Sequence, residues 1–549
     1  MDLIRNSHKY SCDVLVIGGG GAGLRSAIEA RENGASVIVV SKAKVGYGNN
    51  TIMSKAILAS PGWGDSQDNP QVYQRDTIIG GRFINDQKLV HVLAEEAGRQ
   101  PSMLEKYGAS FSKTADRFDV LAIPGHTYAR DLQGNNNQGT DYMMPLVSYD
   151  RKAGVEFVDR VFITRLFAGN GRIAAVTGIS ENGDFIIFEV KCVILATGGY
   201  SQIYYNSSNT PGINGDGLAL AYDVGVPMKD MEFVQFYPTA AGKRGNNLVL
   251  YEGFLFKGAL LKNADNENVL AKHGLTDPKT ITRDLLAQTI FKEVMAGFAR
   301  EHGLLMDLSG VSDELLTKLK PMLPKSASER KECIVSPTTH HTMGGILIDS
   351  GTRTNVPGLF AVGEVCGGMH GANRLAGNAL AEIFAMGGIA GSNGARYASD
   401  IEMGGAPEDR IENERTRLES LFSQKGEDSQ SLITSLKMMM WQKAGIVRNP
   451  DDLEKALTKI EDIRSKSRNC IIATPKDLMH NLGLQNMLLI AEMVCKAALL
   501  RKESRGSHWR PDYPQEDNAN WLKNIVIHKE NDEMMLDVHP VQMEFVSPS

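Results

Sequence analysis

The sequence predicts an α/β fold: a Rossmann-like dinucleotide-binding domain, interrupted by an inserted domain and followed by a helical C-terminal domain. Three observations carry this. The run VLVIGGGGAGLRSAIEARENGASVIVVSK, residues 14–42, reads as strand, glycine turn, helix and strand. Two further apolar strands ending in glycine, VILATGG at 193–199 and GLFAVGEVCGG at 358–368, return to that pattern far along the chain. Between 400 and 515 helical periodicity dominates, as in PDDLEKALTKIEDIRSKSR and LGLQNMLLIAEMVCKAALLRKE.

Gly18, Gly20 and Gly23 satisfy G-x-G-x-x-G. The first allows the tight turn, the second lets backbone approach a pyrophosphate, and the third lets the helix pack on the strand. The phosphates then rest on the open N–H groups and positive end of a helix that starts near Gly21 and Ala22. A glycine fingerprint alone is weak; here an apolar strand precedes it and a helix follows it directly. The acid that usually ends the second strand is replaced by Ser41 and Lys42, so the adenosine end must be held differently.

Residues 86–108 form a helical pattern, and RDLQGNNNQGTDYMM at 130–144 reads as a loop too polar for the core. From about 155 to 198, short β-rich runs make a small antiparallel excursion that returns to the buried strand at 193–199. Residues 237–339 change character, with a helix at 282–301 and no strand-glycine-helix unit. The nucleotide-domain pattern then resumes, with a helix from about Asn378. The expected division is 1–236 and 340–398 for the dinucleotide-binding domain, 237–339 inserted, 399–515 helical, and 516–549 a short-stranded tail.

At 549 residues with 42% hydrophobic and 23% charged residues, the chain has material for two or three globular domains. A net charge of −6 gives no basic footprint for nucleic acid. The six cysteines are scattered, without the close spacing of a cluster-ligand or zinc site, and are expected to be buried free thiols. No apolar stretch reaches the roughly 18 residues of a membrane span, and the first residues lack a signal-peptide pattern. The expectation is a cytoplasmic protein that meets the inner face of a membrane only through partners.

GGGGAGLRSAIEA, ATGGY, GDGLALAYDVGVPMKDMEFVQFYPTA, HHTMGGI, GLFAVGEV, HGANRLAGNALAE and SRGSHWRPDYP together resemble the flavoprotein subunits of the fumarate reductase, succinate dehydrogenase and L-aspartate oxidase family, over about residues 11–540. The resemblance implies FAD, bound by a split FAD-binding domain under a capping domain. It implies cofactor contacts from Gly18, Gly20, Gly21, Ala22, Gly23, Ser41, Lys42, Asn49, Asn50, Thr51, Ala196, Thr197, Gly198, Asp216, Glu364, Arg374, Asn378, Ala379 and Leu380. Members with covalent flavin carry a histidine where Asn50 stands. An amide cannot form that link, so FAD is expected to be noncovalent.

The same resemblance assigns Arg283 as proton donor from the capping domain and Glu252 as a member of its relay, with His340 and Arg374 as the carboxylate clamp. Reduction of a C=C bond beside a carboxylate needs hydride from the flavin, a proton for the other carbon, and cations to polarise the carboxylate. Arginine offers a planar two-point fork for that purpose. From composition alone Arg283 would read as a surface arginine, Glu364 as a satisfied strand-end acid, and Met438 to Met440 with Trp441 as helix core. His340 with His341 could suggest a metal, but adjacent positions rarely converge on one ion and no third ligand stands nearby in sequence; no metal is expected, and His341 is read as structural.

The chain also departs from the family. Tyr237 replaces a histidine that holds the second carboxylate, Tyr251 replaces a threonine, and the relay arginine and glutamate give way to Phe254–Lys257. Tyr237 offers only a neutral hydrogen bond. The leading expectation is therefore a catalytic subunit that reduces fumarate or a related α,β-unsaturated acid, or runs the reverse succinate-type oxidation, fed by an iron–sulfur partner. The alternatives are a soluble L-aspartate oxidase-like enzyme, adenylylsulfate reductase-like chemistry, and a non-catalytic FAD electron-transfer subunit.

Overall fold

In the computed structural model, which describes residues 4–169, 171–241, 248–250, 252–277, 281–320 and 323–548, the N-terminal unit is strand β1 (Ser7–Ile17), helix α1 (Gly21–Glu32) and strand β2 (Val37–Ser41). Val14 to Ile17 and Val37 to Val40 are buried, the continuous apolar run of strands covered on both faces. β1 pairs in parallel with β2 and with Phe185–Leu195, whose far side takes Leu359–Ala361. The expected excursion is the antiparallel set Val161–Gly169, Arg172–Ser180 and Phe185–Leu195 on the same seven-stranded sheet. The strand ends at Ile17, Leu195 and Ala361 are neighbours, so the three glycine-rich segments that follow them meet at one crevice.

The segment 86–108 is two helices, Gln87–Ala97 and Gln100–Lys106, interrupted at Gly98 and restarted with Pro101 in the first turn. The reading of 130–144 as a loop too polar for the core is wrong. Asp131–Gln133 is a strand paired with Ile57–Ala59, a helix starts at Thr140, and Arg130 and Asp131 are fully buried. Their polarity is matched by other buried charges, which the local sequence does not display.

The inserted region contains a five-stranded antiparallel sheet, ordered Leu248–Val249, Val234–Ala241, Glu332–Thr342, Leu304–Asp307 and Leu260–Lys262, with its own apolar core of residues such as Leu261, Ile290, Met306 and Val335. Its helix is Arg283–Met295, shorter than the sequence suggests because the chain turns at Gly297 with φ 88°. Val234–Ala241 and Glu332–Thr342 cross the expected boundaries at 236/237 and 339/340 without a break.

The C-terminal region is helical through Pro475–Leu500 and ends in the hairpin Lys523–Glu530 and Glu533–Pro540. Contrary to the sequence reading, Pro475–Leu500 is long and apolar enough to cross a membrane, with a mean hydropathy of 1.4. Two thirds of that window is buried inside the protein against Pro450–Ser467 and Ser429–Lys443, as in the core helix of a folded domain. The Met438–Trp441 run contributes Met439 and Met440 to the same core, while Met438 is exposed. All six cysteines are free and buried.

Candidate functional site

The glycine turn shows which fingerprint positions serve the fold and which face a ligand. Gly18 has φ 123°, and a Cβ there would lie 2.2 Å from the Ala196 carbonyl oxygen. A Cβ at Gly23 would lie 1.9 Å from the Gly18 carbonyl oxygen, and one at Gly21 would meet Ile383 and Thr51 below 3 Å. Gly20 differs, since the nearest atom to its Cβ position is 3.7 Å away, on Asn49. α1 begins beside it, and with Gly21 N–H turned to Thr51 Oγ1 the N–H groups of Ala22 and Gly23 in the first turn are left for a ligand. Gly21 N–H donates to Thr51 Oγ1 and Asn49 caps the turn Asn50–Met53, which ties the predicted Asn49–Thr51 segment to this turn.

Across the crevice, Ala196 N–H donates to the Ile17 carbonyl, Gly198 has φ 74°, and Thr197 Oγ1 is buried without a hydrogen-bond partner. Glu364 accepts from Thr342 N–H at 3.1 Å and from Asn50 Nδ2 at 3.4 Å, and burial pushes its carboxyl up to about 7. Asn50 also donates to Asn209 at 2.5 Å and accepts from Thr210 N–H. The amide that stands in the histidine position is thus held by both its ends. Asn378 turns its side chain inward, accepting from Tyr73 and donating to Thr77. What it offers, with Ala379 and Leu380, is the uncapped first turn of the helix Asn378–Ser399. Lys42 and Asp216 form an ion pair with each other, and Asn486 donates to the same carboxylate at 3.0 Å; Ser41 accepts from Ala43 N–H at the end of β2. An open phosphate cradle, an unpartnered buried hydroxyl and an uncapped helix start fit a bound dinucleotide.

The second half of the site lies on the two crossing strands. Their register runs Gln235 to His341, then Phe236 to Thr339, so His340 is the extra residue of a β-bulge. That bulge aims the His340 ring at Tyr237, with centroids 5.1 Å apart and planes at 62°. Ser208 Oγ fixes His340 Nδ1 at 2.9 Å. Burial, reinforced by Arg374 and Arg283, holds the His340 ring well below the usual histidine range, hence neutral. Arg283 opens the helix Arg283–Met295 and sets its guanidinium 4.7 Å from the centre of the Tyr237 ring. Arg374 is buried, donating Nη2 to Gln235 Oε1 and Nη1 to the Leu375 carbonyl, each at 3.0 Å. Gln235 in turn donates to the Arg374 carbonyl and to Asn373.

The predicted Arg283, Tyr237, His340 and Arg374 therefore converge. Glu252 opens the turn Glu252–Phe256, but its side chain and the whole of Tyr251 lie outside the described residues. Phe254 and Leu255, in the place of the relay arginine, are packed into the capping core. The sequence reading passed over Gln235 and Ser208, although Gln235 stands two residues from Tyr237 on the same strand face. It also missed a buried group at His341. Contrary to the expectation that no further ligand stands near the histidine pair, His370 and Glu382 join His341 with ligand atoms within 4.8 Å of one another. His370 Nε2 and Glu382 Oε2 already satisfy each other at 2.8 Å, and His341 Nδ1 lies 3.7 Å from Glu364.

Comparison with known proteins agrees with this geometry. Residues 13–380 match a model of an FAD binding domain, and 433–549 match one of the fumarate reductase flavoprotein C-terminus. An uncharacterized FAD-dependent oxidoreductase of Methanocaldococcus jannaschii is 37% identical over 94% of this chain and 96% of its own. A subunit of the fumarate reductase (CoM/CoB) of Methanothermobacter marburgensis is 35% identical over 95% of this chain and 98% of its own. Among solved structures, Mycobacterium smegmatis Sdh1 in complex with UQ1 superposes with a TM-score of 0.89 at 32% identity, covering 99% of this chain and 96% of that one.

Two outcomes are expected. Gly23→Ala, which drives a Cβ into backbone, unfolds the FAD domain or lowers its melting temperature and leaves the protein without flavin. Gly20→Ala folds normally and binds FAD roughly tenfold more weakly, about 1.4 kcal/mol. Flavin absorbance and thermal unfolding of the purified variants separate the two. Separately, acid or detergent denaturation releases all the flavin into the filtrate, since Asn50 cannot bond to it; flavin fluorescence remaining on the denatured band contradicts this.

Proposed function

This chain belongs to the fumarate reductase flavoprotein family of FAD-dependent oxidoreductases acting on CH–CH bonds, and we propose that it reduces fumarate or a related α,β-unsaturated carboxylic acid with Arg283 as proton donor. The observation that carries the reading is the convergence of Arg283, His340 and Arg374 beside the crevice that fits FAD. The proposed division is an FAD-binding domain at 1–236 and 340–398, a capping domain at 237–339, a helical domain at 399–515 and a tail at 516–549. The cofactor contacts are those of the glycine turn, 41–42, 49–51, 196–198, Asp216, Glu364, Arg374 and 378–380.

FAD supplies the two-electron hydride chemistry when bound; the residues of this chain bind, orient and protonate. Arg374, held through Nη2 by Gln235 and through Nη1 by the Leu375 carbonyl, grips a substrate carboxylate with its remaining N–H groups and draws charge toward it as the double bond polarises. His340, neutral and fixed by Ser208, adds a hydrogen bond without a charge. Arg283 delivers a proton to the carbon opposite the hydride. So high a pKa makes arginine a poor acid in water, but positioning inside a closed cleft compensates. Tyr237 contributes a ring and a neutral hydroxyl where a second cationic contact would help a second carboxylate. That favours an acid whose other end is not a carboxylate.

Relatives carry names of subunits in larger reductases, which supports a role as the flavoprotein subunit of an assembly. An iron–sulfur protein is the proposed electron donor, and any membrane is met only through such partners.

The test of the donor role is Arg283→Lys. Lysine keeps the charge and loses the planar geometry. Flavin content stays unchanged while reduction of the double bond falls by more than about a hundredfold. Turnover retained within about tenfold, roughly 1.4 kcal/mol, removes Arg283 from the role.

A further inference from the structure

The two guanidiniums of the site are held by neighbours on one strand. Gln235 and Tyr237 lie two residues apart on the same face of Val234–Ala241, so their Cα atoms are separated by roughly 6.6–6.8 Å. Gln235 is fully buried and engages Arg374 twice, accepting from Nη2 at 3.0 Å and donating to the Arg374 carbonyl at 2.8 Å. Tyr237 is 4% exposed, and the Arg283 guanidinium carbon lies over its ring, 4.7 Å from the centre. At that distance the negative face of the ring attracts the cation.

A ring can position a cation only if the ring itself is fixed. Tyr237 makes an edge-to-face contact with His340, whose centroid is 5.1 Å away, and Ser208 Oγ fixes His340 Nδ1 at 2.9 Å. The next residue back anchors the strand. Phe236 packs edge-to-face on Tyr204 at 5.6 Å and on Trp441 at 5.9 Å. Trp441 also meets Phe291 at 6.4 Å, on the helix that Arg283 opens, so helix and strand share one aromatic contact. The Arg283 side chain is the flexible member of this set, with several rotatable bonds to be ordered before it can deliver a proton in one direction.

We infer that Tyr237 is a positioning residue for Arg283: its ring face seats the guanidinium, and the two-residue step from Gln235 to Tyr237 spaces the proton donor from the carboxylate clamp. The inference rests on Arg283 as donor. It divides one side chain into two functions. The hydroxyl can contribute to substrate affinity, whereas the ring acts on the rate, because a donor misplaced by about 1 Å can cost on the order of a hundredfold. A phenol suits this use better than an imidazole, which on protonation would repel the guanidinium. The neutral His340 ring beside it likewise adds no repulsion.

The test is anaerobic reoxidation of dithionite-reduced, FAD-loaded protein by fumarate or crotonate, whichever is faster, followed by stopped flow with residue 237 varied. Tyr237→Leu is expected to slow the limiting rate roughly thirtyfold at unchanged flavin content. Tyr237→Phe keeps the ring face and loses the hydroxyl, so it recovers the limiting rate to within about threefold of wild type, while the two variants share one KM. Phenylalanines bearing one, two and three fluorines at 237 weaken the ring face at nearly constant size, and the limiting rate falls with each fluorine. A limiting rate in Tyr237→Leu equal to that in Tyr237→Phe overturns the inference, as does a fluorinated series with a flat rate. If Tyr237→Leu loses its flavin, the fluorinated series decides alone. Arg283→Lys separates this inference from the reading beneath it. Turnover retained within about tenfold in Arg283→Lys removes the donor and its seat together. An inactive Arg283→Lys beside a flat fluorinated series leaves the donor and removes only the seat.

Discussion

The pairing of two strands, Val234–Ala241 with Glu332–Thr342, is the constraint on which the reactive half of the molecule depends. Each strand crosses one of the proposed boundaries between the dinucleotide-binding and capping domains, so their register fixes the residues at that junction. A one-residue slip would turn every side chain to the other face. The bulge at His340 departs from strict alternation at the position where a ring must reach across to Tyr237. Gln235, two residues from Tyr237, spends its amide on Arg374. Through these contacts the clamp, the tyrosine wall and the overlying Arg283 are tied to one ladder of backbone hydrogen bonds.

Much of the dinucleotide-binding half was legible from sequence because its requirements are local. A strand, a turn that tolerates no Cβ at Gly18 and Gly23, and a helix can be read within thirty residues. Glu364 and Asn378 were legible for the same reason, each at a strand end or helix start marked by glycine. What could not be read depends on charges brought together from afar. Arg130 and Asp131 look like loop residues until Asp68, Asp76 and His126 are placed around them. The sheet of the inserted region was missed because its strands are separated by long connections and pair antiparallel across the domain, without the glycine punctuation of the other half. His341 read as structural from the family pattern, and its neighbours His370 and Glu382 could not be placed beside it because they lie on a different segment.

Burial decides the electrostatics of the site. His340 is kept neutral by lost hydration and by two nearby guanidiniums, so it offers direction rather than charge. In the proposed reaction the positive charge available to a substrate is that of Arg374 and Arg283, and Arg283 is the one that gives up a proton. Clamped as proposed, a dianion would set its second carboxylate against Tyr237 and a neutral imidazole. An acid with a single carboxylate makes no such demand. Asn50 follows the same pattern, for it links to Glu364 and Asn209 by hydrogen bonds and leaves the flavin without a covalent tether.

The central claim is that this site reduces a double bond beside one clamped carboxylate. Anaerobic reoxidation of the photoreduced flavin by a panel of unsaturated and saturated acids tests it most directly. The account predicts that unsaturated acids reoxidise the flavin and saturated ones do not. Loss of a charge-assisted contact costs about 1.5–3 kcal/mol, so monocarboxylic enoates are expected to outpace fumarate by roughly tenfold to a hundredfold. A flavin that no unsaturated acid reoxidises contradicts the claim; rapid reoxidation by fumarate alone overturns the preference for a single carboxylate and leaves plain fumarate reduction.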